Sequence, residues 1–297
     1  MPDMAFSAQP PSAQAVVRYY DHTWMDYRLV WLNRVNLAMH FGYHDAESRR
    51  HHDALQNGNR VCADIAGIRP GERVLDAGCG VGGSTCWLAE CRDAEAVGIT
   101  IVPSQVEQAR REAAARGLGD RVSFQVADYV DTRYPDASFD VGWAMESLCH
   151  APDKRLFYRE MARVLRPGGR LVVAEYVRAR RGLPAEVERR MRAWCDGWAM
   201  PDLDTADEHL AAARAAGFCD VTLRDGTPYT RRSLRRLFLS SLVAVPIDGV
   251  LHLLGLRNEV QHGNTVASRL QYPLLVEGHW FYGILSARKP DGGVGAD

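Results

Sequence analysis

The stretch Val74-Leu-Asp-Ala-Gly-Cys-Gly-Val-Gly-Gly83 is the strongest local indication of the fold of this chain. It begins in a short apolar run, Arg73–Asp76, and ends where a helical pattern starts at Ser84. Glycines at this place let the backbone approach a ligand closely, because they carry no Cβ atom. The stretch therefore predicts a ligand-binding turn between a first strand and its helix. A glycine-rich turn alone does not name the ligand, since dinucleotide-binding folds share it.

Strand and helix patterns alternate along the chain around this turn. Helical patterns cover 84–91, 104–116 and 154–165. Strand patterns cover 73–76, 95–100, 122–126, 139–144, 170–176, 220–223 and 280–287. Pro167-Gly168-Gly169 predicts a sharp turn before the fifth of these strands. Strands that alternate with helices predict a parallel sheet with helices on both faces.

Charge balance and cysteine spacing argue against several classes of protein. The 297 residues carry 36 Lys and Arg against 37 Asp and Glu, without the basic excess typical of nucleic-acid-binding proteins. The seven cysteines are odd in number and no two have CxxC spacing, so neither a disulfide framework nor a zinc site is predicted. We expect reduced thiols in a cytoplasmic protein. No apolar run approaches the roughly 20 residues that cross a bilayer, so no membrane span is predicted.

Four regions of the chain differ in residue composition and in periodicity. We predict a disordered lead-in at 1–14, an N-terminal helical lid at 15–60, a ligand-binding core at 61–177, and a completion of the sheet at 178–297 with an inserted helical cap at about 228–275. The lid region is rich in aromatic residues, and Trp24, Tyr27 and Trp31 fall at i, i+3 and i+7 of one helical stripe. These residues either pack as core or line an apolar pocket beneath the lid.

Four segments of the core resemble the class I S-adenosylmethionine-dependent methyltransferases. They are VLDAGCGVGG at 74–83, GITIVPSQVEQAR at 98–110, VADY at 126–129 and LRPGGRLVVAE at 165–175. They occur in the order and at the spacing of that family. The resemblance implies an enzyme with a Rossmann-like, doubly wound, seven-stranded α/β sheet, mostly parallel with the last strand antiparallel. The GIT…Q stretch is similar to the branch that contains sterol C-methyltransferases and tocopherol methyltransferases.

The resemblance also implies a site for S-adenosylmethionine. Asp76, Gly78 and Gly80 would lie against the amino-acid part of the cofactor, and Thr100 would meet the ribose with Gln105 nearby. This chain lacks the acidic residue that usually follows the second strand. The other residues implied at this site are Asp128 and Tyr129, both beside the adenine, together with Ala144 and Tyr43. The alternative for Asp128 is a turn residue at the end of a strand.

The segment 144–154, which follows the fourth strand, is similar to the corresponding segment of sterol C-methyltransferases. It contains a glutamate followed by Cys-His-Ala-Pro, and it lies at the carboxyl end of a strand, where open α/β sheets bind ligands. We predict Glu146 and His150 at the rim of the active site. Glu175, at the end of the fifth strand, is predicted as the base that takes a proton. The alternatives are a structural histidine and a salt bridge from Glu175 to a nearby arginine.

Aromatic residues are predicted to line a substrate pocket, because Trp and Tyr ring faces attract a cation. The residues predicted for this pocket are Tyr20, Trp24, Tyr27 and Trp198. The segment His40-Phe-Gly-Tyr-His44 resembles the H-x-G-Y/F segment of sterol and tocopherol enzymes. This resemblance implies that Tyr43 touches both cofactor and substrate.

Three basic clusters lie outside the core, at 49–52, 178–181 and 231–236. Each is either a solvated face or a binding site for the phosphates of a prenyl diphosphate, because arginine is a forked donor to phosphate. No metal site is predicted, since no DDxxD run is present. Mg²⁺ enters only if the substrate is a diphosphate.

These observations favour methylation of an alkene carbon of an isoprenoid, preferably a prenyl diphosphate, through a carbocation that is then deprotonated or cyclised. The alternative is an O-methyltransferase of a phenolic small molecule, tocopherol-like or polyketide, with His150 as the base. A third hypothesis is a cofactor-binding regulator without chemistry. The expected partner is an apolar small molecule and not a nucleic acid, and the sequence does not fix the oligomeric state.

Overall fold

The computed structural model describes residues 12–30 and 36–291 of the chain. Seven strands in this part form one sheet: β1 (Arg73–Ala77), β2 (Glu95–Thr100), β3 (Val122–Val126), β4 (Phe139–Met145), β5 (Leu165–Arg178), β6 (Cys219–Asp225) and β7 (Trp280–Arg288). Their order across the sheet is β3-β2-β1-β4-β5-β7-β6. Strands β1 to β5 are parallel to one another. Strand β7 runs antiparallel to both β5 and β6. This arrangement confirms the predicted fold class.

The pairing of the strands opens one edge of the sheet to a ligand. Strand β1 lies between β2 and β4, with Asp76 beside Gly98 on one side and Trp143 on the other. All three strands end at the same edge, where open α/β sheets bind ligands. The glycine turn after β1 and the segments after β2 and β4 therefore meet there.

Helices flank this sheet and form a cap near its antiparallel strand. In the described part of the chain they are α1 (Ala13–Val30), α2 (His51–Ala66), α3 (Gly83–Arg92), α4 (Pro103–Ala115), α5 (Lys154–Val164), α6 (Ala185–Gly197), α7 (Ala206–Ala215), α8 (Thr227–Leu253) and α9 (Glu259–Val276). A 3₁₀ turn covers Leu148–His150. Local sequence sets several of these ends: Asn258 and Gln261 form a capping box that starts α9.

The core has two apolar clusters, one on each face of the sheet. Alternate residues of a strand point to opposite faces. Val74 accordingly joins the cluster that contains Trp143 and Trp194, while Leu75 joins the cluster that contains Phe157. Both faces are thus covered, as the alternation of strands and helices predicts.

The N-terminal region departs from the helical lid predicted at 15–60. Helix α1 ends at Val30, residues 36–50 contain no helix, and α2 begins at His51. Helix α1 also begins at Ala13, inside the segment predicted as a disordered lead-in. Residues 1–11 and Trp31 lie outside the described residues. The aromatic stripe therefore belongs to a shorter helix than predicted.

The sharp turn predicted at 167–169 lies within β5. Phe139 pairs with Leu165 and Val141 pairs with Arg170, so two steps along β4 match five along β5. Gly168 has a φ of +74°, which accommodates the distortion without a Cβ penalty. The turn chemistry is present, but it bends the strand rather than preceding it.

Helices α8 and α9 form the cap predicted at about 228–275. Among the described residues, α8 is the one helix that is long and apolar enough to cross a membrane by length and composition. Its most apolar window has a mean hydropathy of 1.4, and 11% of that window is buried. One such helix is weak evidence for a span, and the absence of a span stays a prediction.

Candidate active site

The glycine turn after β1 consists of residues that need left-handed backbone. Gly78 has a φ of +95° and Gly80 a φ of +53°, a region that residues with a Cβ rarely adopt. A Cβ atom on Gly78 would lie 2.2 Å from the Cβ atom of Ser147. The N–H groups of Gly78 and Cys79 donate to the carbonyl of Ile99 at 2.8 and 2.9 Å. The turn is thereby fixed against the end of β2.

A cavity at the edge of the sheet contains this turn, and we call it the cofactor cavity. Asp76, at the end of β1, is buried, and its carboxylate accepts a hydrogen bond from the Thr85 hydroxyl at 2.6 Å. Burial raises the pKa of Asp76 to about 7. The Thr100 hydroxyl donates to Oε1 of Gln105 at 2.8 Å. The predicted cofactor residues that line the cavity are Asp76, Gly78, Gly80, Thr100, Gln105 and Tyr129.

Asp128 does not reach the cofactor cavity. The neighbouring Tyr129 lines it and donates its hydroxyl proton to the carbonyl of Ser147 at 3.0 Å. Asp128 is exposed, and its carboxylate accepts from the N–H of Val130 at 3.0 Å. This local hydrogen bond fits the alternative of a turn residue at a strand end, and the contact of Asp128 with the adenine stays a prediction.

Two further residues of the predicted cofactor site also lie elsewhere. Ala144 is buried in the apolar cluster with Leu75, because its side chain points to that face of β4. Tyr43 stacks on Tyr229 with ring centroids 4.4 Å apart. Its segment turns toward α8, so its ring lines neither cavity of the site. The structure corrects both predictions.

Glu146 lies where the cofactor cavity meets a second cavity. Its carboxylate oxygen Oε1 accepts from the N–H of Phe41 at 2.6 Å and from the hydroxyl of Tyr282 at 2.9 Å. Oε2 accepts from the hydroxyl of Tyr176. Glu146 lines both cavities, which also share Met39. The side chain is therefore held rigidly between two ligand spaces.

The backbone and the charge of Glu146 are both unusual. Its φ of +51° is left-handed, which costs free energy in a residue with a Cβ and is common at functional sites. Burial raises the pKa of this carboxyl to about 8, although the hydrogen bonds from Tyr176 and Phe41 lower it. A carboxyl group with a pKa near 8 exchanges protons readily at physiological pH.

His150 lies in the cofactor cavity as a neutral base. Its Nδ1 is 3.1 Å from the carbonyl oxygen of Ala199, so Nδ1 carries the proton. Nε2 therefore accepts the hydrogen bond from the hydroxyl of Tyr20 at 2.9 Å. Burial lowers the pKa of His150 to about 4, which keeps the ring uncharged near neutral pH.

Glu175 lies outside both cavities, unlike the predicted base. It is buried, and its carboxylate accepts from the N–H groups of Cys149 and Tyr176, each at 2.7 Å. It forms no salt bridge in the described structure, so the arginine alternative is not realised either. Burial raises its pKa to about 7. The structure makes Glu175 a support for the turn that carries His150, and corrects its assignment to the reaction centre.

The second cavity, of about 260 Å³, is enclosed by α1, α8, α9 and residues 39–41, and we call it the acceptor cavity. Aromatic residues form much of one wall. Tyr27 and Trp198 line it as predicted, together with Phe41 and Tyr176. Tyr20 instead lines the cofactor cavity, and Trp24 is not among the lining residues of either cavity. Two of the four aromatic residues predicted for the substrate pocket, Tyr27 and Trp198, therefore line the acceptor cavity.

The lining of the acceptor cavity also contains polar side chains, which stand among apolar residues of α8 such as Leu237, Ala244 and Leu251. It contains hydroxyl, amide and charged side chains: Asp26, Ser240, Ser241, Asp248, Arg257, Asn264, Thr265 and Ser268. Arg257 binds both oxygens of Asp26 at 2.8 and 2.7 Å and also pairs with Asp248. This guanidinium is the single basic side chain among the lining residues, and two carboxylates neutralise it.

None of the three basic clusters lines either of these two cavities. Arg178 is buried and pairs with Glu188 and Asp202, and Arg181 pairs with Asp202 and Glu208. The clusters at 49–52 and 231–236 lie at the other end of the cap. Among the described residues no group of three His, Cys, Asp or Glu side chains is placed to hold a metal ion.

The sequence predicted Glu146 at the active site but not several other residues around the junction of the two cavities. Met39 and Phe41 come from a segment without helix or strand periodicity, and the chosen residue of that segment was Tyr43. Asp26 and Arg257 belong to a cluster whose members lie 231 residues apart. The one available signal was the resemblance of the segment at 40–44, which named the right region but not the right side chain.

Comparison with known proteins agrees with this geometry. A family model described as a methyltransferase domain matches residues 75–173. The chain is 36% identical to the 27-O-demethylrifamycin SV methyltransferase of Amycolatopsis mediterranei (strain S699), over 85% of this chain and 90% of that protein. It is 30% identical to a probable chloroplastic tocopherol O-methyltransferase of Oryza sativa subsp. japonica, over 88% and 75%. Sterol C-methyltransferases are also among its relatives.

A solved structure extends the similarity to nearly the whole chain. The crystal structure of the cyclase SpnF matches with a TM-score of 0.79 and 29% identity, covering 95% of this chain and 98% of that one. A glycine turn after β1, an acid at its base and a polar pair after β2 define an α/β enzyme that binds a nucleoside cofactor. The chain belongs to the class I S-adenosylmethionine-dependent methyltransferases, as its sequence segments predicted.

The residues of the cofactor cavity fit S-adenosylmethionine chemically. The buried carboxyl of Asp76 suits the ammonium group of the cofactor, and the polar pair Thr100 and Gln105 suits its ribose hydroxyls. The ring of Tyr129 and the side chains of Ile101 and Val102 offer an apolar surface for the base. When bound, the cofactor supplies an electrophilic methyl group on a sulfonium centre.

Proposed function

We propose that this enzyme methylates a hydroxyl oxygen of a large, mostly apolar acceptor that carries several oxygen atoms. The observation that carries the proposal is the position of Glu146 at the junction of the two cavities. A base at this place contacts an acceptor hydroxyl and the methyl donor side of the site together. An O-methyltransferase was the alternative that the sequence predicted, with His150 as the base, whereas here the base is Glu146.

The hydrogen bonds of Glu146 leave room for one more donor. A carboxylate offers about four acceptor positions on its two oxygens. Phe41 and Tyr282 occupy two positions on Oε1, and Tyr176 occupies one on Oε2. The free position on Oε2 is available to an acceptor hydroxyl. Three fixed donors also hold the carboxylate in place, which preserves the geometry that in-line transfer requires.

Proton transfer to Glu146 completes the reaction. The acceptor oxygen forms a bond to the methyl carbon while the bond from that carbon to sulfur breaks, and Glu146 takes the hydroxyl proton. A pKa of about 8 makes this carboxylate a stronger base than an exposed glutamate. His150, with a pKa lowered to about 4, is the weaker base of the two and lines only the cofactor cavity.

The walls of the acceptor cavity support the proposed class of substrate. The aromatic wall suits an apolar skeleton, and the hydroxyl and amide groups of Ser240, Asn264 and Thr265 suit oxygen atoms along it. Arg257 already binds two carboxylates, so the lining offers no unneutralised cation for a diphosphate. Relatives named as rifamycin-type and tocopherol O-methyltransferases agree with this class.

A second candidate is the C-methylation of an isoprenoid alkene. It is favoured by the aromatic rings around Glu146: the ring of Tyr176 lies 6.0 Å from that of Phe41 and 6.1 Å from that of Trp198. Such rings, together with a carboxylate, stabilise a carbocation. In this reaction Glu146, rather than Glu175, is placed to take the final proton.

A panel of acceptors tests the proposal. The purified enzyme is given methyl-labelled S-adenosylmethionine with polyketide and phenolic alcohols, their hydroxyl-blocked analogues, prenyl diphosphates and a sterol. Products are read by mass spectrometry and NMR. Methyl on oxygen, lost when that hydroxyl is blocked, is the expected result. Methyl on the carbon of a prenyl diphosphate would overturn the proposal and establish the second candidate.

A further inference from the structure

Helix α8 exposes an unusually large number of apolar side chains. Most of the side chains that it buries fully are polar: Thr230, Ser233, Ser241 and Asp248, with Leu234 as the exception. Its exposed side, together with Leu254 just after its end, carries seven large aliphatic residues, which we call the apolar stripe: Leu239, Leu242, Val243, Ile247, Val250, Leu253 and Leu254. Leu253 is 86% exposed and Val243 is 65% exposed. Contiguous exposed apolar surface of this kind marks an interaction site.

The same exposed side of α8 begins with positive charge. Arg231, Arg232, Arg235 and Arg236 are all exposed and precede the apolar stripe at the i, i+4 spacing of one helical face. One half of the exposed side is therefore cationic and the other half is apolar.

We propose that α8 lies on a lipid bilayer that carries anionic headgroups. The apolar stripe enters the boundary between headgroups and acyl chains, and the four arginines contact the lipid phosphates. Apolar area gives such a helix its affinity for the interface, and cationic residues add an attraction to anionic lipid. Charge complementarity thus selects the occupant of this face.

A second copy of the chain fits this face poorly. Two-fold pairing of antiparallel stripes would place the arginines of one copy against the leucines of the other. Two-fold pairing of parallel stripes would place four arginines against four arginines. Both arrangements bury positive charge or place like charges against each other, which disfavours association.

The position of the helix agrees with binding along the surface rather than spanning. Asp248, in the C-terminal part of α8, is buried and pairs with Arg257 and His262, so this side of the helix packs against the protein. Ile247 is both a member of the apolar stripe and a lining residue of the acceptor cavity. The mouth of that cavity therefore faces the membrane, and an apolar acceptor dissolved in lipid can enter it directly.

Vesicle binding by the full chain tests the inference without any acceptor, so its outcome is independent of the proposed reaction. The protein is centrifuged with vesicles of phosphatidylcholine alone and with vesicles that also contain phosphatidylglycerol. We expect binding to the anionic vesicles that weakens as salt is raised. The double variant Val250→Asp/Leu253→Asp and the double variant Arg231→Gln/Arg235→Gln should each weaken it by at least about tenfold.

Matched variants outside the face serve as controls. Leu156→Asp places an acid at an exposed apolar residue of α5, and Arg111→Gln/Arg189→Gln removes two exposed arginines elsewhere. Both should bind vesicles as the unmodified chain does, and thermal unfolding verifies that every variant is folded. Absence of vesicle binding, or binding that neither test variant weakens, would overturn the inference. So would a dimer that Val250→Asp/Leu253→Asp dissociates.

Discussion

The two cavities of this enzyme are built in different ways. The cofactor cavity is formed largely by short segments that directly follow β1, β2 and β4, so that sheet pairing alone brings them together. The acceptor cavity is formed by three helices and an irregular segment whose contacts join residues far apart in the chain. Tyr19, for example, donates to Asn264 across 245 positions at 2.9 Å.

Because of this difference, the two cavities respond differently to amino-acid substitution. Turns at strand ends depend on backbone conformation, and a single Cβ disturbs them. A cavity between helices depends on side-chain pairs, and loss of one pair loosens a wall without removing the fold. Substitutions in each cavity, and in Glu146, which lines both, distinguish an effect on backbone conformation from an effect on side-chain pairing.

The largest effect is expected from Glu146→Gln. Removal of the base should lower kcat by about 10²-fold or more, because general base catalysis contributes on that order. The affinity for S-adenosylhomocysteine, measured by calorimetry, should change much less. The control is Glu175→Gln, which keeps an oxygen acceptor for the N–H groups of Cys149 and Tyr176. If Glu175→Gln abolishes turnover at an unchanged Tm while Glu146→Gln does not, the assignment of the base is wrong.

The next effect is expected from Gly78→Ala, which tests the cofactor cavity. The new Cβ would lie 2.2 Å from the Cβ atom of Ser147 at a φ of +95°. We expect the affinity for S-adenosylhomocysteine to fall by at least about tenfold, because the turn must shift. Gly117→Ala is the matched control, since Gly117 also has positive φ, +68°, but nothing lies within 4 Å of its Cβ position. Equal affinities of the two variants would show that the close contact has no role.

A smaller effect is expected from Arg257→Met, which tests the acceptor cavity. Its loss leaves Asp26 and the buried Asp248 without their cation. Breaking such a pair should destabilise the fold by about 2 kcal/mol, less than a fully buried pair because Arg257 is partly exposed. The KM for the acceptor should rise while the KM for S-adenosylmethionine stays unchanged. Adding Asp26→Asn should recover part of the Tm, and failure to do so would separate the two residues energetically.

The smallest effect is a pH dependence of stability without ligand. Burial raises the folded-state pKa of Glu146 to about 8 and of Asp76 and Glu175 to about 7, above the unfolded values. The folded state therefore holds more protons than the unfolded state, so stability falls as pH rises toward 8. Above about pH 7.5 His150 is neutral in both states, so it does not oppose this trend there.

Thermal unfolding between pH 7.5 and 8.5 measures this trend. We expect a loss of about 1 kcal/mol over the interval. Glu146→Gln should remove more than half of the slope, because the other two carboxyls, with pKa values of about 7, are mostly ionised above pH 7.5. A stability that rises over the same interval would contradict the raised pKa values.

The fold and much of the cofactor cavity could be predicted from the sequence, and the reason is physical. Strand periodicity and glycine placement are local properties, so the strand at 95–100 and the turn at Gly78 and Gly80 are visible in short windows. Ala144 was misplaced because the direction of a side chain at a strand end changes with one residue of register. Glu175 shows the same limit, since it ends the right strand but points at backbone N–H groups.

The acceptor cavity could be predicted only in part. Tyr27 and Trp198 were found because aromatic residues in a lid and a cap are conspicuous. Phe41 and Arg257 were not found, because no local periodicity marks a segment such as 36–50 and no short window shows a pair that spans 231 positions. Long-range side-chain pairing is the information that a single sequence hides.

One feature of α1 bears on how the enzyme turns over. The helix contributes Tyr20 to the cofactor cavity and Tyr27 to the acceptor cavity, two turns apart on one rigid rod. Any displacement of this rod uncovers both compartments at once. Release of the methylated product and release of the spent cofactor are therefore coupled. One opening movement of α1 sets the rate at which both cavities are emptied for the next cycle.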